Sequence, residues 1–233
     1  MSYLSPLGGQ GEPVYICRMD VILKYFSDFT DKQLEQFRAL EELYKDWNAK
    51  INVISRKDID SLYEKHVLHS LSIAAAFEFK AGAEIVDIGT GGGFPGVPLA
   101  IFFPHVQFHL VDSINKKLKF IEAVKEATGL DNITTQHTRA EDIQNRRFDF
   151  AVSRAVAPLK ELWSWSKPLL NTAGNKPQAT SAGKGIKPGL ICLKGGDLKQ
   201  EIAESGLRPR KMEISDLFEE EFFKEKYIIY ASL

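Results

Sequence analysis

Glu84-Ile85-Val86-Asp87-Ile88-Gly89-Thr90-Gly91-Gly92-Gly93-Phe94-Pro95-Gly96 is the stretch that decides the fold. A short apolar run ends in glycines, and Pro95 and Pro98 then fit the opening turn of a helix. Gly89 and Gly91 permit positive φ and let backbone approach a ligand closely. Gly91-x-Gly93-x-x-Gly96 even has dinucleotide spacing, so the glycines alone leave several nucleoside ligands open. Asp87 narrows the choice. A carboxylate at the strand end, facing the ligand, suits a cationic amino group and repels a pyrophosphate. S-adenosyl-L-methionine (SAM) carries an ammonium and a sulfonium and no phosphate.

Working outward from this loop, seven short apolar runs follow one another: 84–88, 107–112, 132–136, 148–153, 189–194, 210–214 and 226–230. Helix-sized segments separate the first five, the pattern of βαβ units in a parallel sheet. A shorter acidic stretch, Asp216 to Glu225, joins the last two and permits a closing antiparallel strand. The expectation is an α/β, doubly wound, seven-stranded sheet, mostly parallel with the last strand reversed. Upstream, Leu34, Phe37, Leu40, Leu43, Tyr44 and Trp47 recur at three and four behind the start signal Thr30-Asp31. A second helix is read from Asp58 through Leu62, His66, His69 and Ile73. Three segments result: 1–18 as a leader outside the fold, with Met19 as a natural start; 19–80 as an N-terminal helical extension; and 81–233 as the main domain. Within the last, the low-complexity stretch 171–188 reads as a flexible insertion at the amino end of a strand, remote from chemistry.

The chain has 233 residues, 44% of them hydrophobic, which excludes disorder, collagen and a disulfide mini-protein. Cys17 and Cys192 are too few for a disulfide framework or a zinc site, so no metal is expected and the cytoplasm is the default compartment. No apolar run approaches the ~20 residues that span a bilayer, and no signal peptide opens the chain. Thirty Lys and Arg balance 31 Asp and Glu, which at first argues against a nucleic-acid partner. The charge is unevenly distributed, however. The basic surplus falls between residues 113 and 211, and the acidic surplus in the glycine-loop strands and the C-terminal segment. That distribution suits a cationic cofactor beside an anionic substrate.

Further candidates sit where the other runs end. Asp112 closes the second run, where a carboxylate accepts from ribose hydroxyls or simply caps the next helix. Arg139-Ala140-Glu141 follows the third, where an adenine ring would lie. Arg154 leaves the fourth and Lys194 the fifth, two cations expected to flank one crevice and to favour a polyanion such as RNA.

Taken together, these residues resemble one family, the bacterial small-subunit ribosomal RNA guanine-N7 methyltransferases, also called glucose-inhibited division protein B. The likeness is carried by Trp47-Asn48-Ala49-Lys50-Ile51-Asn52, by His66 with Ser70-Leu71, and by Val86 to Gly96 with its Gly-Phe-Pro-Gly ending. It continues in Asp112-Ser113, Arg139-Ala140-Glu141, Ser153-Arg154-Ala155 and Leu193-Lys194-Gly195. The chain departs from the family where His69 stands in place of a frequent Asp, and where Asn52-Val53-Ile54 stands in place of Asn-Leu-Thr. The resemblance implies a Rossmann-like SAM-dependent methyltransferase fold and methylation of N7 of guanine 527 in 16S ribosomal RNA. The product would be S-adenosyl-L-homocysteine. It further implies that Gly89, Phe94, Ala140, Glu141 and Arg154 contact SAM; Asp87, Gly91, Gly93 and Asp112 complete the expected cofactor set. Asn48, His66, Arg139, Arg154 and Lys194 are the substrate-positioning candidates. Phe94, Arg139 or Arg154 would hold a splayed-out base.

Guanine N7 carries a free lone pair at neutral pH, so no acid/base pair is expected, and alignment supplies the catalysis. The partner would be 16S ribosomal RNA or the small-subunit particle, with no membrane and a monomeric enzyme. Three alternatives stand beside this: a SAM-dependent methyltransferase for another RNA or a small molecule, a nicotinamide-dependent oxidoreductase, and a SAM-binding RNA protein without catalysis.

Overall fold

The computed structural model describes residues 19–154, 156–172 and 178–233; the expected leader 1–18 lies outside them. Two helices lead, α1 (Asp20–Leu23) and α2 (Asp31–Asn48). A 3-10 turn, Arg56–Ser61, and a π-helical segment, Tyr63–Leu68, run into α3 (His69–Ala76). There follow β1 (Glu78–Phe79), β2 (Glu84–Ile88), α4 (Gly96–Phe102), β3 (Gln107–Asp112), α5 (Asn115–Thr128), β4 (Ile133–His137), β5 (Phe150–Arg154) and α6 (Leu159–Ser166). The chain closes with β6 (Ala179–Ser181), β7 (Lys184–Ile186), β8 (Gly189–Gly195), α7 (Lys199–Ser205), β9 (Arg210–Glu213) and β10 (Lys226–Ser232).

Seven strands form the main sheet in the order β4-β3-β2-β5-β8-β10-β9. The first five in that order pair in parallel, while β10 is antiparallel to both neighbours. The last strand is therefore the reversed one, inserted between β8 and β9. Chain order runs outward from β2 to β3 and β4 on one side and from β5 to β8 on the other. Their connections diverge at the carboxyl ends of β2 and β5, which opens a crevice there.

Alternation along the strands sorts the core into two faces. Phe150 and Val152 of β5 and Ile191 and Leu193 of β8 join α2 to α5 in one cluster. Ala151, Leu190 and Cys192 join Leu159 and Leu162 of α6 in the other. The segment 19–80 has no core of its own: Met19, Phe37, Tyr44, Leu62 and Leu71 share a cluster with Ile85, Phe108 and Phe150. Helix α2 starts on a capping box, with the Gln33 N–H donating to Thr30 Oγ1 at 3.3 Å and the Thr30 N–H to Gln33 Oε1 at 3.0 Å. Gln33 Nε2 also donates to the Ile101 carbonyl at 2.9 Å, tying this helix to α4.

Part of the stretch 171–188, read from the sequence as a flexible insertion, forms regular structure. Its residues 173–177 lie outside the described ones, but β6 and β7 form a hairpin that pairs with β1, Phe79 opposite Ala179. Ala182 and Gly183 make the turn, both at positive φ. An Asn-Gly or Gly-Gly pair would have announced such a turn; Ala-Gly does not. In chain order β1 and β7 immediately precede β2 and β8.

Because one core spans the helical segment and the sheet, unfolding is a single transition. Urea melts followed by Trp47 fluorescence (with Trp163 and Trp165 changed to Phe) and by backbone circular dichroism should coincide. Phe37→Ala should lower both midpoints together, at a cost of roughly 3–5 kcal/mol. Separate transitions for the two probes would contradict a shared core.

Candidate active site

The site is built on the carboxylate of Asp87, which is fully buried at the end of β2. Asp87 Oδ2 accepts from the Thr90 hydroxyl at 2.7 Å and from the Gly96 N–H, at the first residue of α4, at 2.9 Å. One oxygen thus fixes both ends of the glycine turn. Asp87 Oδ1 is buried with no partner. Burial pushes this carboxyl up from 3.8 to about 7, against the hydrogen bonds of Thr90 and Gly96 and the charge of Arg154, which pull it down.

The loop is held from behind as well. Gly89, Gly91 and Gly93 have positive φ, and Gly89 meets the Val156 side chain so closely that a Cβ would lie 2.8 Å from it. Tyr44, wholly buried in α2, donates its hydroxyl to the Gly92 carbonyl. Asn48 lies behind the loop too: its Oδ1 accepts from the Val53 and Ile54 N–H groups at 2.9 and 3.1 Å. Those residues back Gly92, where a Cβ would come 2.9 Å from the Val53 carbonyl. Asn48 therefore shapes the turn that supports the loop.

In front of the loop is a cleft of about 220 Å³. It brings together Gly89, Asp112, Arg139, Ala140 and Glu141, with walls from Ile88, Val111, Val156 and Trp165. Asp112 Oδ2 accepts from the Gly91 N–H and Oδ1 from the Ile114 N–H, both at 2.8 Å. Asp112 thus shapes the turn before α5 and borders the cleft. Arg139 is an exposed rim group, 3.9 Å from Glu141.

On the other side of the chain leaving β5 lies a second crevice, of about 350 Å³, bordered by Lys65, His66, His69, Arg154, Phe222 and Lys226. Arg154 is the last residue of β5, paired with Leu193, and its side chain follows the helical face of Phe150 and Val152. Its guanidinium lies 4.6 Å from the Phe94 ring centroid and donates through Nη2 to His66 Nδ1 at 2.9 Å. Burial lowers Arg154 to about 10, still charged at neutral pH. Burial first, and then the Arg154 charge, bring His66 down to about 3 and His69 well below its ordinary value.

Three expectations change here. Phe94 is 2% exposed, packed 5.1 Å from Tyr44 and 5.0 Å from His66, so it presents no open face to a base. Phe94 and Arg154 stand outside the loop-front cleft. Lys194 borders the second crevice but is in phase with Leu190 and Cys192, on the opposite face from Arg154. Its ammonium is 2.7 Å from Glu201 of α7 and donates to the Ala157 carbonyl. The two cations thus do not make a pair: strand alternation sends them to opposite faces of the sheet.

A family model described as GidB, rRNA small subunit methyltransferase G, matches residues 33–178. A Bacteroides thetaiotaomicron protein named Ribosomal RNA small subunit methyltransferase G is 51% identical over 215 residues, covering 92% of this chain and all of that one. The chain belongs to the rRNA small subunit methyltransferase G family. A Parabacteroides distasonis protein of the same name is 50% identical over 216 residues, 93% of this chain and 90% of that one. Among solved structures, an MtNAS mutant in complex with S-adenosylmethionine gives a TM-score of 0.55 at 15% identity, covering 93% of this chain and 76% of that one. At that identity the likeness concerns the fold alone.

Members of this family are SAM-dependent methyltransferases, and the residues present fit that cofactor. A buried, unpartnered carboxylate oxygen under the glycine turn favours a cation. Asp112 retains lone pairs toward the cleft for hydroxyls, and Val111, Ala140, Val156 and Trp165 give apolar walls for a flat ring. Sequence reasoning missed Val156 and Trp165 as walls of the cleft. It also placed Tyr44 only in an amphipathic stripe, and no motif marks a hydroxyl aimed at Gly92.

Asp87 gives a pH test. Folded, it keeps its proton up to about pH 7; unfolded, it releases it near its ordinary 3.8. The stability this contributes is present below about pH 4 and is lost as pH rises to about 7. Cofactor-free protein should therefore lose stability across that window. Asp87→Asn, which keeps an acceptor for Thr90 and Gly96, should remove that part of the loss. A pH profile identical in the variant would contradict the assignment.

Proposed function

We propose that the chain transfers the methyl group of SAM to N7 of a guanine in 16S ribosomal RNA, guanine 527 of the decoding-region loop. What carries the reading is the pair of cavities on either side of the chain leaving β5. One has nucleoside-type walls beside the glycine turn; the other is bordered by Arg154, Lys226 and the ion pair of Lys65 with Asp58 at 3.1 Å, with a partly exposed aromatic ring. Family membership and relatives bearing an rRNA methyltransferase name support it.

SAM supplies a methyl group on a sulfonium, and the N7 lone pair displaces it in line, so the positive charge passes to the base and no proton moves. The residues then have to bind, align and exclude water. Asp112 would accept the ribose hydroxyls, Ala140, Glu141 and Trp165 would hold the adenine, and Gly89 would let backbone approach the amino-acid end. Phe94 and Arg154 act from behind, as a stacked pair that fixes the edge between the two cavities. Lys194 acts at one remove, by holding α7 and the start of α6 through Glu201, which also accepts from the Leu159 N–H at 2.7 Å. Arg139, exposed at the rim, meets RNA phosphate. The enzyme works as a monomer in the cytoplasm, on free RNA or the small-subunit particle.

The test is transfer of labelled methyl to free 16S RNA and to small-subunit particles from cells lacking the gene, mapped by mass spectrometry. We expect one methyl on one guanine, and a drop of at least about 100-fold for Arg154→Ala. Methyl on another base, or no transfer to either form, would overturn the reading.

A further inference from the structure

Two stretches distant in sequence meet at the glycine turn, and both are basic with no acidic residue. Residues 47–57 carry Lys50, Arg56 and Lys57; residues 113–121 carry Lys116, Lys117 and Lys119. The first lies behind Gly92, where Val53 and Ile54 donate to Asn48 and the Val53 carbonyl backs the turn. The second reaches Gly91: a Cβ there would lie 3.9 Å from Lys117 Nζ. The two stretches also touch each other. Trp47 packs edge-on against Phe120 with centroids 5.7 Å apart, and Lys50 Nζ lies 5.6 Å from the Trp47 ring centroid. Lys116 and Lys117 precede Phe120 by four and three residues in α5, so they share its side of the helix, whereas the adjacent Lys119 does not.

The cations are open to solvent. Lys50, Arg56, Lys57 and Lys116 are exposed and Lys117 is half-buried. None of these five forms an ion pair among the described residues. Three of the four carboxylates that bound the stretches are engaged elsewhere. Asp58 pairs with Lys65 at 3.1 Å, Asp112 accepts from the Gly91 and Ile114 N–H groups, and Glu122 lies 3.5 Å from Lys125. Asp46, exposed on α2, is the fourth. Neither the loop-front cleft nor the second crevice includes any of the five cations. A small anion is held by groups converging on a cavity; exposed cations spread over two elements match charges that repeat along a polymer.

We propose, on the reading that the substrate is RNA, that Lys50, Arg56, Lys57, Lys116 and Lys117 form a strip that grips the phosphate backbone flanking the target guanine. Phosphate contacts carry no sequence information, but they fix register and orientation. Gly89 borders the nucleoside cleft while Gly91 and Gly92 back onto the strip, so one turn sets the methyl donor and the RNA strand side by side. Each phosphate neutralised releases a counterion, so binding weakens steeply as salt rises.

The experiment measures methyl transfer by the full chain to small-subunit particles from cells lacking the gene, over a range of salt. Lys50→Gln, Arg56→Gln and Lys57→Gln together should lower kcat/KM by at least about tenfold at about 0.1 M salt, through KM rather than kcat. They should also flatten the slope of log kcat/KM against log salt by about two. A charge-matched control, Lys80→Gln with Lys184→Gln and Lys187→Gln, removes three exposed lysines from the segments that precede β2 and β8 and should keep the wild-type slope. Lys116→Gln with Lys117→Gln should flatten the slope by about 1.5 and keep the affinity for S-adenosylhomocysteine. A wild-type slope in the first triple variant, or the same flattening in the control, would overturn the strip and leave the methyltransferase reading standing. So would loss of S-adenosylhomocysteine affinity in the Lys116 and Lys117 variant with no change in slope, since those lysines would then serve the cofactor. No transfer to RNA by wild-type protein would overturn both.

Discussion

One carboxylate oxygen, Asp87 Oδ2, holds together everything that happens at the ligand edge. By accepting from Thr90 and from the Gly96 N–H it fixes the glycine turn and the start of α4 at once. Burying a carboxylate costs free energy, and the raised pKa of Asp87 records that cost. The hydrogen bonds offset part of it, and the unpartnered Oδ1 leaves the remainder to be met when a cation binds nearby. A rigid turn under modest electrostatic strain suits a site that must hold a positively charged ligand and release a neutral product.

From that turn the molecule divides. The loop-front cleft uses backbone, Asp112 and apolar walls. Behind it, Phe94 packs against Tyr44, His66 and Arg154 at 4.6 to 5.1 Å. The N-terminal helices supply Tyr44, Asn48, His66 and His69, so the helical segment supports the glycine turn and borders the second crevice as well as covering the sheet. This is why it shares a core with the sheet. A separately folded cap could not hold these groups to the precision that alignment catalysis needs.

The sheet was legible because its central strands are buried and read as apolar runs of strand length, and the reversed last strand followed from the shorter stretch before it. The loop-front cleft was legible in part, since Gly89, Asp112, Ala140 and Glu141 lie at strand ends where topology alone places them. The substrate side was not. Which face a residue takes after a strand depends on one position of register: Arg154 belongs to β5 itself, and Lys194 keeps the opposite phase. Phe222 comes from an acidic stretch with no motif, and the hydrogen bond from Arg154 to His66 is a contact no spacing rule reveals.

The central claim is that the cleft in front of the anchored glycine turn is the nucleoside site. The most direct measurement is a crystal structure with S-adenosylhomocysteine. Its adenine should lie against Trp165 and Ala140 with the ribose on Asp112, leaving the His66–His69 crevice free. A nucleoside found between Arg154 and Phe222 would contradict the account.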